Sequence, residues 1–291
     1  MMTTDAPQGA VGIGRALEQR RMRPEALRNG LLAQAHGWAA LGRLDSLRAV
    51  ATRLRRETYP ALALYALELE GVLIVFDSMD FARPDSSLTR ELDAYLERGT
   101  AFPELRRRAS WMLALLAHRR GDGVSAARFR AGLADGPGSA ELRAEVDAFG
   151  ALRRGDTAAA RVFLAALSPS NLLRTSAAPL SDAVSRLLRS MYAEHDSGWR
   201  VAANQLLWHE HLQLIGFPIG EPQPGEAAWA LSTLVRWRRT QLLKQMGRPD
   251  AELCAAYAAV ARLWKDALPT YAARADSARR RYDSHRCTEL R

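Results

Sequence analysis

The chain has 291 residues, 48% of them hydrophobic and 25% charged, with a net charge of +9. So large an apolar share, rich in the helix formers Ala and Leu, excludes disorder along the whole length and allows one or two domains or an extended repeat array. The positive balance keeps nucleic acid in view as a partner. However, residues 226–291 hold thirteen basic against seven acidic side chains, so most of the excess lies in that tail.

In chain order, residues 1–22 mix Gly, Gln and Arg without clear periodicity and are expected to be a loosely ordered lead-in, helical in part. Gly9, Gly12 and Gly14 look like a phosphate-binding turn, but no strand precedes them to place a helix N-terminus against a phosphate. Pro24 suits the first turn of a helix, and Leu27, Leu31, Leu32, Ala35 and Trp38 follow at helical spacing. After Gly42 comes a helix over 44–57, then a long one from Pro60 to about Asp77. That apolar stretch carries Glu68 and Glu70 at its middle, which are costly at bilayer depth, so no membrane segment is expected. Further helices are predicted over 88–97, 103–120, 124–133, 141–154, 157–167, 180–194 and 198–215. The Pro/Gly loop 217–225 is the strongest breaker and a candidate boundary. Beyond it lie 226–246, 251–264 and an amphipathic helix after Pro269. No stretch sustains the period-2 alternation of strands, so the fold class is all-α.

The recurring punctuation is Gly42-Arg43-Leu44-Asp45, Gly121-Asp122, Gly155-Asp156 and Gly247-Arg248-Pro249-Asp250, each between two helical stretches. Gly121 and Gly155 lie 34 residues apart, the period of a tetratricopeptide unit. Leu113, Ala114 and Ala126 around the first turn, and Ala148, Ala160 and Leu164 around the second, sit where that family keeps its leucine and small residues. The chain therefore resembles the tetratricopeptide repeats. That resemblance implies a right-handed α-solenoid of antiparallel helix pairs over 23–216, with a closing repeat and a basic C-terminal capping helix over 226–291. The segment Trp237 to Asp250, followed by Ala256 to Ala267 with its Leu263-Trp264-Lys265 run, is similar to the last repeat of certain bacterial signalling proteins. In those proteins an array of this kind follows a kinase, cyclase or transcriptional-activator domain. The glycine-rich nucleotide loop, His-Arg-Asp and Asp-Phe-Gly motifs of such effectors do not occur here.

Residues with chemical potential are few. His209 and His211 are two apart on a predicted helix and point to nearly opposite sides, so no metal site is expected. Cys254 and Cys287 form no CxxC pair, and a reducing, cytoplasmic compartment fits them better than a disulfide. No nucleophile elbow or paired-carboxylate signature is present, so neither catalysis nor a cofactor is expected. What remains is tryptophan interspersed with arginine, the residues that dominate interface energetics. Arg108, Trp111, Trp199, Trp208, Trp229, Arg236, Trp237 and Arg239 are the candidate partner-binding residues. They would lie on a concave face lined by 103–120, 198–215 and 226–246. The implied function is a non-enzymatic scaffold for a protein or peptide with an acidic segment. The alternative is a nucleic-acid or transcription-associated module using the basic tail.

Overall fold

The computed structural model describes residues 7–19, 24–76, 86–98, 102–133, 136–167, 178–207, 224–247, 251–285 and 287. Among them it is all-helical: α1 (Pro7–Gln19), α2 (Pro24–Ala40), α3 (Leu44–Arg56), α4 (Pro60–Val75), α5 (Ser86–Arg98), α6 (Pro103–Arg120), α7 (Gly123–Ala131), α8 (Ser139–Arg153), α9 (Thr157–Ala166), α10 (Ser181–Asp196), α11 (Trp199–Asn204), α12 (Pro224–Ala230), α13 (Ser232–Gln245), α14 (Ala251–Leu263) and α15 (Pro269–Ser284). Pro24, Pro60, Pro103 and Pro269 each open a helix, where a missing N–H costs nothing.

Two of the glycine turns share one construction. At Gly121 the backbone is left-handed (φ 76°), its N–H donates to the His118 carbonyl and the Asp122 N–H to the Ala117 carbonyl, closing α6. The Asp122 side chain then accepts from the Ser125 N–H at 2.9 Å and starts α7. Gly-Asp is thus a stop and a start in two residues. Gly155 (φ 75°) and Asp156 repeat it, down to the 2.9 Å bond from the Ala159 N–H.

Residues 7–19, in the stretch expected to be helical only in part, form one continuous helix. The glycines that obscure α1 in the sequence are its packing surface. A Cβ on Gly14 would lie 2.4 Å from the Gly30 carbonyl oxygen, and one on Gly37 2.6 Å from Val11. Glycine weakens each helix but lets the two backbones approach closely. The helix expected over 226–246 is also divided, since Leu231 separates α12 from α13 with its N–H shared between the Ala227 and Ala228 carbonyls. The predicted 198–215 helix is present as α11, while residues 208–223, with Trp208, His209, His211 and most of the Pro/Gly loop, lie outside the described residues.

Packing sorts the helices into two layers. Contacts run α2 to α4, α4 to α6, α6 to α8, α8 to α10, α10 to α12 and α12 back to α2, a closed cycle of six. Burial in this layer is most complete on α4 and α6, while α10 keeps a polar face. On α4 every residue from Leu62 to Val75 is buried, which explains its lack of a polar face. On the outside α7 packs on α6 and pairs Arg130 with Asp147 of α8, and α9 packs on both α8 and α10. The closure is reinforced from the C-terminal side. The Trp264 indole N–H donates to the Ala40 carbonyl at 3.2 Å, and the Leu268 N–H to the Gly42 carbonyl at 3.4 Å. The Tyr271 ring lies so close to Gly42 that a Cβ there would meet it at 3.0 Å.

A disulfide joins Cys254 of α14 to Cys287 beyond α15. This corrects the expectation of two reduced thiols, and with it part of the argument for a cytoplasmic location. The spacing concealed the pair because 33 residues of helix, loop and helix bring the two cysteines together. No helix among the described residues is long and apolar enough to cross a membrane.

Candidate functional site

The structure places most of the predicted partner-binding residues in the core instead of on a groove. Trp111, Trp229 and Trp237 are buried, as are Arg108 and Arg239. Arg108 is turned inward because Glu68 of α4 holds it through two hydrogen bonds, from Nε at 2.9 Å and from Nη2 at 2.5 Å. Arg239 pairs with Glu252, which also takes Arg200 at 3.0 Å. Arg236 is half-buried and Trp199 is exposed. Neighbouring helices account for the burial: α4 covers Arg108 through Glu68, Trp264 and Arg274 of the C-terminal region pack on Trp237, and α14 answers Arg239 with Glu252. Tryptophan and arginine spacing cannot distinguish core from groove, since both residue types serve inter-helix gaps as well as interfaces.

A polar network not read from the sequence runs through this inner layer, contributed helix by helix. His36 of α2 shares a 2.8 Å hydrogen bond with the Tyr65 hydroxyl of α4, and burial drives the imidazole pKa down to about 3, so it is neutral. Burial pushes the Tyr65 hydroxyl well up, helped by the nearby Glu226 and Glu68 carboxylates. Burial also raises Glu68, opposed by Arg108, whose own charge is reinforced by that carboxylate against burial. On α8, Glu145 Oε1 accepts from Ser181 Oγ at 2.6 Å and Ser185 Oγ at 2.8 Å, both on α10. Desolvation nevertheless lifts Glu145 to about 8, and its Oε2 completes no hydrogen bond. His36, Tyr65, Glu68, Arg108, Glu145 and Ser181 are buried and Ser185 is half-buried, which suits fixing helix register better than meeting a substrate. The one signal in the sequence was Glu68 in the middle of an apolar helix, where a lone carboxylate demands a partner.

What faces solvent is different in kind. On α7 the exposed positions are Gly123, Val124, Ala127, Arg128 and Ala131; on α9 they are Ala158, Arg161, Val162, Ala165 and Ala166. Neither helix contains an acidic residue. Val124 is 85% exposed and Val162 66%, in a molecule with few large apolar side chains so open to water. Beside α7 lies a cleft of about 400 Å³ between α5, α6 and α7, floored by Leu96, Ser110 and Phe129. Its walls carry Asp93 and Glu97 opposite Arg106 and Arg128, a mixed-charge lining that selects neither anions nor cations. Among the described residues no group of His, Cys, Asp or Glu is arranged to hold a metal ion. No protein-family model matches the chain, and searches of curated proteins and of solved structures found no match.

Proposed function

We propose that the chain is a non-enzymatic helical-repeat scaffold that binds a protein partner. In this reading its helices form a tetratricopeptide-like right-handed array of antiparallel pairs, closed end to end, and the partner-binding surface lies on the outer helices. The observation that carries the reading is the equivalence of the α6–α7 and α8–α9 units at a 34-residue offset. Ala126 and Ala160 are both fully buried after the turn. The bonds Ala126 N–H to Asp122 carbonyl and Ala160 N–H to Asp156 carbonyl are both 3.0 Å. The same positions, 124 with 158, 127 with 161, 128 with 162 and 131 with 165, face water in each unit. Repeat units that share a register present the same side chains at fixed intervals, which suits an extended partner. The bacterial signalling context rests on the Trp237–Ala267 resemblance.

The test is a photo-crosslinking amino acid at exposed Ala165 of α9, with the same label at exposed Asp276 of α15 as comparison. Capture of a defined protein from Ala165 supports the scaffold. Retention of the purified chain on DNA or RNA at low salt, weakening steeply as salt rises and with no protein captured, would replace it with the nucleic-acid alternative.

A further inference from the structure

We infer that the outer faces of α7 and α9 together dock an acidic amphipathic helix of the partner, an inference that rests on the scaffold reading above. A solvated protein surface normally mixes both signs of charge. Here ten exposed positions on two helices are filled only by Gly, Ala, Val and Arg. Depletion of carboxylates with enrichment of arginine, around exposed apolar side chains, is the composition of an interface. The two aspartates nearest in sequence, Asp122 and Asp156, are engaged by the backbone N–H groups that they cap. Arg161 makes no ion pair among the described residues, and Arg128 makes none within salt-bridge distance, although it feels Asp93 across the cleft and Asp122 at the start of its own helix. Arg128 instead lies over the Phe129 ring, 4.5 Å from its centroid, which holds the guanidinium ready for a planar anion.

Each feature specifies part of the occupant. The alanines at 127, 131, 158 and 165 are short enough for another helix to approach closely. Val124 and Val162 supply apolar contact to one face of that helix, and the two guanidiniums match carboxylates along its edges. A second copy of this chain fits poorly, because a two-fold contact through the same face would set like charges against one another.

Fluorescence anisotropy with a labelled synthetic helix, glutamate on one face and Leu and Ala on the other, tests the assignment on the full chain. Binding should weaken as salt rises. It should fall at least tenfold in the Arg128→Glu/Arg161→Glu variant, whose exposed replacements leave the fold intact by circular dichroism. It should persist in Arg279→Glu/Arg280→Glu on α15. A matched helix with lysine in place of glutamate should not bind. Equal affinity of the two double variants for the glutamate helix overturns the assignment. Loss confined to the α15 variant also overturns it while sparing the scaffold reading. Failure of the glutamate helix together with retention of the chain on DNA overturns both. A concentration-dependent dimer abolished by Arg128→Glu/Arg161→Glu would make the occupant a second copy and also refute the inference.

Discussion

At Gly121 a Cβ would meet nothing within 4 Å, so alanine there is penalised by the left-handed backbone alone. Gly121→Ala should therefore cost about 1–2 kcal/mol in urea unfolding. Gly14→Ala, which drives a Cβ against a backbone carbonyl that cannot move aside, should cost more and loosen α1 selectively in hydrogen exchange. Two buried titratable residues pull the pH response in opposite directions. His36 has its pKa depressed to about 3, so the unfolded chain takes up a proton below about 6.5 that the native state refuses. Its contribution is present above that pH and lost as pH falls toward 3. Glu145 is raised to about 8, so the native state keeps a proton that the unfolded chain releases above about 4.5. Its contribution is lost as pH rises from there through 8. The two opposing slopes, each up to about 1.4 kcal/mol per pH unit, cancel between about 4.5 and 6.5 and leave a plateau with a fall on either side. Thermal melts across pH should show Glu145→Gln flattening the alkaline fall and His36→Gln the acid one. A Glu145→Gln profile that tracks the parent above pH 7 would show that this carboxyl is not the cause.

Among the elements, α4 and α6 depend on the Glu68–Arg108 pair. Removing one partner leaves a charge buried and unmatched, which typically costs about 3–5 kcal/mol, whereas two apolar replacements of similar shape are close to neutral. Arg108→Met should destabilise strongly, and Glu68→Leu/Arg108→Met should recover most of the loss in chemical denaturation. This element scale is also where the sequence was most readable. Proline at the first turn and glycine beyond the last are local chemistry, so the starts of α2, α4, α6 and α15 and the turns at Gly42, Gly121 and Gly155 could be placed from the residues alone. Helix α1 could not, because its glycines read as flexibility until Gly30 and Gly37 are set against them. The candidate site was misplaced for a related reason. Arg108 carries the same side chain whether it lines a groove or answers Glu68, and only the position of α4 decides.

For the whole molecule, the decisive contacts join residues more than 200 apart, such as Trp264 to Ala40. No periodicity encodes them, so an open array was the natural expectation. The Cys254–Cys287 disulfide ties α14 to the end of α15, the region that makes these contacts, and the bridge spans 33 residues. Loop-closure entropy for such a span gives about 3–4 kcal/mol. Cys254→Ser/Cys287→Ser should lower the unfolding free energy by roughly that amount, and a reductant should do the same to the parent but nothing further to the variant. Hydrogen exchange should rise first at α15 and next at the Gly42 turn that Tyr271 covers. Uniform loss of protection across α2 to α10 would contradict that order.

The cycle from α12 back to α2 also bears on how such a chain can change in evolution. An open array grows by duplication, since a new unit only lengthens a free end. Here both ends are already spent on each other. A duplicated α8–α9 unit would have to enter a circle whose circumference is set by six inner helices, breaking the Trp264–Ala40 and Leu268–Gly42 bonds or buckling the interior. Change is cheaper on the outer layer, where the exposed side chains of α7 and α9 can be exchanged without disturbing the count of inner helices.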